Sequence, residues 1–136
     1  MILFDTHVWI WTVEDDVRRL GLSARRLIVR AEASGALRVS PISFFEVTSL
    51  HTAGHVHFNR SLEQWLRDGT EHARVAELTA DIAIDAGCIP RTAIADPADR
   101  LLIATARRLD ATFLTADRAI LAYARAGHVR VHDASR

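Results

Sequence analysis

At 136 residues, 49% of them hydrophobic and 25% charged, the chain has the size and balance of one self-folding domain (residues 1–136) and not of a disordered segment. Its 17 basic and 17 acidic residues cancel, which excludes an overall basic field for nucleic acid; every basic residue is Arg, which excludes chemistry that needs a lysine. The lone cysteine, Cys88, excludes an intramolecular disulfide and a cysteine-built zinc site, and points to a reducing, cytoplasmic setting.

The apolar start MILFDTHVWIW has no basic flank and is broken by Asp5, so it is read as neither a signal peptide nor a membrane span. Met1–Phe4 reads as a strand buried on both faces, and THVWIWTV as a short helix. Trp9 and Trp11 cannot share one side of that helix; one is expected in the core and the other at an interface. Ser23 is the expected N-cap of a second helix that runs to about Ala33 and stops at Gly35. Ala36–Ser40 is a strand. After Pro41, Ser43 and Glu46 have capping-box spacing, with Gly54 as the stop. Ser61 and Gln64 repeat that device ahead of Trp65. Ala73–Leu78 reads as a strand and Thr79–Gly87 as a helix, near whose end Cys88 is expected to pack. Asp96, Pro97 and Asp99 head a helix to about Leu109: the first as N-cap, the second at N1, the third at N3 on the positive end of the dipole. Ala111–Thr115 is a strand, Ala116–Gly127 a helix and His128–His132 a last strand. Strands alternating with helices predict an α/β layered domain with a mainly parallel sheet.

Ligands of such sheets sit beyond the carboxyl ends of the strands. Asp5 follows the first strand. Glu46 falls in the first turn after the second. Asp96 and Asp99 open the helix before the strand ATFLT, and Asp117 lies just past its end. Each acid alone is explained by capping or a turn. Together, so close to a core, they are costly unless paired, and repulsion raises at least one pKa. The economical counter-charge is a hard divalent cation, Mg²⁺ or Mn²⁺. An aspartyl-nucleophile phosphatase needs a second Asp where His7 stands, and a receiver domain needs a lysine; both are disfavoured. His51, His55 and His57 read as solvated surface residues, because Gly54 breaks the helix the first two would share.

The stretches FDTHVWIW, SPISFFEV, DPADRLLIATA and FLTAD, in this order and spacing, resemble a PIN-domain ribonuclease, most closely the VapC-type toxins of bacterial toxin–antitoxin pairs. The resemblance implies a three-layer α/β/α sandwich around a sheet of about five strands. It implies Asp5, Glu46, Asp99 and Asp117 as the acidic, metal-binding catalytic set. Thr6, Ser43 and Thr115 become hydroxyls that orient carboxylates or water, and Asp96 mainly a cap. The implied activity is Mg²⁺-dependent hydrolysis of RNA, held in check by a cognate antitoxin and carried by a homodimer away from any membrane. The rival from another class is a catalytically silent PIN-fold module that binds RNA or protein. Arg100 and Arg118 are candidates for phosphate contact. Arg107 and Arg108 read as a solvated helix face with ion pairs.

Overall fold

In the computed structural model, which describes residues 1–136, helices and strands alternate along the chain. The order is β1 (Ile2–Phe4), α1 (Thr6–Val13), α2 (Leu22–Ala33), β2 (Leu37–Val39), α3 (Pro41–Thr52), α4 (Leu62–Glu71), β3 (Arg74–Val75), α5 (Ala80–Cys88), α6 (Pro97–Arg108), β4 (Thr112–Thr115), α7 (Arg118–Arg125) and β5 (Val131–Asp133). All five strands are parallel, in the order β3-β2-β1-β4-β5. The chain builds outward from β1 to β3, then returns through α5 and α6 to lay β4 on the other side of β1. This reversal opens a crevice beyond the carboxyl ends of β1 and β4. The register Phe4↔Leu114 brings Asp5 and Thr115 level, and the Asp5 N–H donates to the Leu114 carbonyl at 3.0 Å.

Successive residues of β1 feed opposite faces of the sheet, as a strand's period of two requires. Ile2 and Phe4 join Trp9, Val39, Val47 and Trp65 in one core; Leu3 joins Leu102, Ile103, Phe113 and Ile120 in the other. With helices over both faces, the result is the three-layer α/β/α sandwich the resemblance implies. No helix is long and apolar enough to cross a membrane.

Several expected boundaries shift, each for a local reason. Ser23 is not the cap of α2; Gly21 is, without a side-chain bond. The C-terminal segment does the work of a cap instead: the Gly21 and Ser23 N–H groups donate to the Ala134 and Arg136 carbonyls at 2.9 and 2.8 Å. The approach is so close that a Cβ on Gly21 would stand 2.0 Å from the Arg136 carbonyl carbon. The Ser43–Glu46 capping box does not form either, because Ser40 caps α3, accepting from the Ile42 N–H at 3.1 Å. Glu46 therefore lies in the second turn rather than the first. β3 shrinks to two exposed residues at the sheet edge, and α7 starts at Arg118 because Asp117 is its cap. Cys88, expected to pack, is exposed, since α5 turns Ile82 and Ala86 inward. His51 is half-buried and stacks on Phe58 at 5.9 Å, whereas His55 and His57 are solvated as expected.

One close contact gives a stability prediction. The Trp9 indole donates to the Gly69 carbonyl at 3.0 Å, and a Cβ on Gly69 would fall 2.7 Å from the Trp9 ring. Trp9 is held edge-on by Trp65 at 5.0 Å and cannot retreat. Gly69→Ala is expected to destabilise the fold by about 2 kcal/mol through overpacking, read as a lower urea midpoint at unchanged slope.

Candidate active site

Beyond the ends of β1 and β4 lies a cavity of about 300 Å³ whose lining includes Asp5, Glu46, Asp96, Asp99 and Asp117. Five carboxylates from segments far apart in sequence thus face one space, and no Arg lines it. His7, also in the lining, is the only group there that can carry a positive charge.

Each acid arrives by its own local route. Asp5 ends β1 and caps α1, its Oδ1 accepting from the Thr6 N–H at 2.8 Å. Its Oδ2 accepts from the Thr115 hydroxyl at 2.6 Å. Thr115 in turn accepts from the Asp117 N–H at 3.1 Å, so one buried hydroxyl ties the ends of β1 and β4 to the start of α7. Asp117 caps α7, accepting from Ala119 and Ile120. Asp96 caps α6, accepting from the Ala98 N–H at 2.8 Å, with Pro97 at the first helical position. Asp99 follows in the first turn of α6, at the positive end of the helix dipole.

Glu46 reaches the cavity from α3. The Thr6 hydroxyl donates to its Oε1 at 2.6 Å and lies 2.8 Å from the Ser43 hydroxyl. A threonine hydroxyl has one hydrogen, already given to Glu46, so Ser43 donates to Thr6. The relay Ser43–Thr6–Glu46 is what replaces the expected capping box. Ser43 and Thr6 are both buried.

The electrostatics follow from this crowding. Asp99 is pushed up to about 7, first by burial and then by the charges of Asp5, Asp96, Asp117 and Glu46. Burial raises Asp5, against the pull of its bonds to Thr115 and Thr6. Burial also raises Glu46, with Asp5 and Asp96 adding to the shift and the Thr6 bond opposing it. A proton held on Asp99 or an external cation would each relieve this repulsion. As they stand, no three of these side chains are close enough to hold one ion together. The donor set itself, all carboxylate and hydroxyl oxygen with no sulfur, fits a hard cation such as Mg²⁺ or Mn²⁺.

The arginines divide differently from the acids. Arg100 lines a separate shallow hollow with Ala83, Ala86, Gly87, Pro97 and Leu101, and Arg118 is exposed in the first turn of α7; neither lines the acidic cavity. Arg107, read as part of a solvated helix face, is instead half-buried, although it keeps the expected ion pair. It donates to the His128 carbonyl and the Tyr123 hydroxyl, both at 2.7 Å, and to Asp85 at 3.3 Å. Two lining residues carried no site signal in the sequence, His7 and Trp11. The spacing could have found them: two and six residues after Asp5 on a helix that begins at the cavity.

Comparison with known proteins agrees with this architecture. A sequence profile described as PIN domain matches residues 2–126. The chain is 32% identical over 117 residues to a protein named ribonuclease VapC22 from Mycobacterium tuberculosis, covering 86% of this chain and 87% of that one. Among solved structures it is similar to a chain of VapBC2 from Rickettsia felis bound to a DNA fragment from its promoter, with a TM-score of 0.71 at 14% identity over 98% of each chain. VapBC-1 from nontypeable Haemophilus influenzae aligns with a TM-score of 0.62 at 19% identity over the full length of both chains. A toxin–antitoxin complex from Klebsiella pneumoniae aligns with a TM-score of 0.57 at 19% identity, over 86% of this chain and 87% of that one. At these identities the structures speak for the shared fold.

Proposed function

The chain belongs to the PIN-domain family and to its VapC-type members, and from that premise we propose that it is a metal-dependent endoribonuclease, the toxin of a toxin–antitoxin pair. The observation that carries the reading is the convergence of Asp5, Glu46, Asp96, Asp99 and Asp117 on one cavity that no arginine lines. All 136 residues are read as one PIN domain acting in the cytoplasm. Its partners are an RNA substrate, a second copy of the chain and a cognate antitoxin.

Asp5, Glu46, Asp99 and Asp117 are the residues that would hold Mg²⁺ or Mn²⁺. The bound cation would supply charge stabilisation at the phosphate and lower the pKa of water. The reaction is hydrolysis: a water oxygen displaces one ester oxygen at phosphorus, and no side chain forms a covalent intermediate. Glu46 is suited to orient the attacking water, because it lines the cavity and Thr6 fixes one of its two oxygens. Thr115 and the Thr6 N–H fix both oxygens of Asp5. Asp96 keeps the head of α6 in place so that Asp99 faces its neighbours. Arg100 and Arg118, outside the cavity, remain the proposed phosphate contacts on the same helices as the acids.

Incubation of the purified protein with single-stranded RNA tests this reading. Cleavage is expected with Mg²⁺ or Mn²⁺ and not with EDTA. Cleavage that survives EDTA, or none with either metal, contradicts it. Thr6→Val removes the hydroxyl relay while keeping the side chain's shape. It is expected to lower kcat by roughly 10- to 100-fold, the usual effect of losing a group that orients a ligand. Thermal melts separate this loss from a loss of fold.

A further inference from the structure

Helix α2 buries Ala24, Ile28 and Ala31 and turns a second stripe outward. Leu22, Arg25, Arg26, Val29 and Arg30 follow the i, i+3, i+4, i+7, i+8 spacing of one helix face. Together they line a shallow hollow of about 330 Å³ to which no other element contributes. Leu22 and Val29 are 55% and 64% exposed, although a helix face turned to water is ordinarily polar.

The charges on this stripe are unanswered. None of its three arginines has a carboxylate within ion-pair distance, whereas Arg60, Arg67 and Arg107 each have one. Glu32, the acid of α2, is turned to His72 at 3.2 Å. The Arg25 Nε is buried without an acceptor. The helix dipole favours a cation only in the last turn, where Arg30 stands; Arg25 and Arg26 lie in the first half. Local structure therefore accounts for one of the three.

Three positive charges around two exposed aliphatic side chains define a complement. It carries anionic oxygens for the guanidinium forks, and it has apolar groups to cover Leu22 and Val29. A nucleic acid strand meets the first condition alone: its bases stack on aromatic rings, and this hollow has none. A second copy presenting the same face would set arginine against arginine. An amphipathic helix with an acidic border meets both conditions. Its apolar side chains lie between the arginines, and its carboxylates take their N–H groups.

We propose that the outer face of α2 is a docking surface for an acidic amphipathic helix of a partner protein. It is separate from the acidic cavity, whose lining shares no residue with it.

The probe is a fluorescein-labelled peptide of about 18 residues, long enough to form a helix, with leucines along one face and glutamates on both flanks. Anisotropy is expected to show saturable binding to the native chain. Binding is expected to be roughly 10-fold weaker in Arg26→Glu/Arg30→Glu, and again in Leu22→Ser/Val29→Ser. Raising NaCl to about 0.5 M is expected to weaken it as well. The same peptide with lysine for glutamate is expected not to bind, and polyglutamate of equal length to bind roughly 10-fold more weakly. Thermal melts check that the variants stay folded, and the peptide series on the native chain decides without them. No saturable binding to the native chain, or undiminished affinity in either variant, overturns the proposal. Polyglutamate binding as tightly as the amphipathic peptide does the same. A single-stranded RNA whose affinity in EDTA falls in the arginine variant, with no peptide bound, assigns the stripe to nucleic acid and also overturns it. Metal-dependent RNA cleavage is expected to be unchanged in both variants, so the nuclease reading stands or fails on its own result.

Discussion

Asp99→Asn is expected to lower RNA cleavage at least roughly 100-fold while leaving the fold intact, and to make the metal-free protein more stable at pH 8. Both effects come from one feature. Asp99 is the acid on which the others press: Asp5, Asp96, Asp117 and Glu46 all raise its pKa. An amide of the same shape removes one charge from that crowd and with it the repulsion, so the free protein gains. On the proposed function, a divalent cation would lose a ligand by the same change, so the loaded protein would lose. Asp96→Asn is the informative contrast. Its carboxylate is committed to the Ala98 N–H as a helix cap, a role that Asn fills as well as Asp. Cleavage by that variant is expected to fall far less. Oligonucleotide cleavage rates and thermal melts on the two variants check the pair. Equal losses in both would show that neither acid has a distinct task.

The second large effect is a pH dependence of stability whose sign depends on metal. Asp99 has an ordinary value of 3.8 and a folded value of about 7. Between these, the folded chain keeps a proton that the unfolded chain has released. Stability therefore falls as pH rises through that window and levels off above it. Complete conversion of the shift would give about 4 kcal/mol. Asp99 is half-buried, so solvent screening reduces the expected loss to about 2 kcal/mol between pH 4 and pH 8. Asp5 and Glu46, both raised by burial, act in the same direction. Saturating Mg²⁺ is expected to flatten or reverse the trend, since a cation binds the ionised carboxylates and stabilises only the folded form. Urea unfolding across this range in EDTA and in Mg²⁺ checks the sign. Metal-free stability that rises steadily from pH 5 to pH 8 would contradict the account.

What the sequence disclosed and what it hid divide along one physical line. Asp96, Pro97 and Asp99 were legible because a helix start is a local event written in a few adjacent residues. The parallel sheet was legible from the alternation of apolar runs with helical segments, and Asp5 from its place at the end of β1. Ser43 and Ser23 misled because cap spacing is also local, but their partners are not. Ser43 bonds Thr6 across 37 positions of sequence, and the start of α2 is satisfied by carbonyls at the far C-terminus. One of Trp9 and Trp11 was expected at an interface, without a choice between them; that Trp11 is the one beside the acids depends on how α1 leaves the sheet. The arginines show the same limit. A shared helix does not give a shared face, so Arg100 lies on α6 with Asp99 yet faces a different hollow.

The most direct test is a calorimetric titration of Mn²⁺ into the purified native chain and into Asp5→Asn. In the native chain, the account predicts saturable binding at the acidic cavity, with a matching rise in melting temperature. In Asp5→Asn it predicts the loss of both. Equal binding and equal thermal shifts in the two proteins would contradict it.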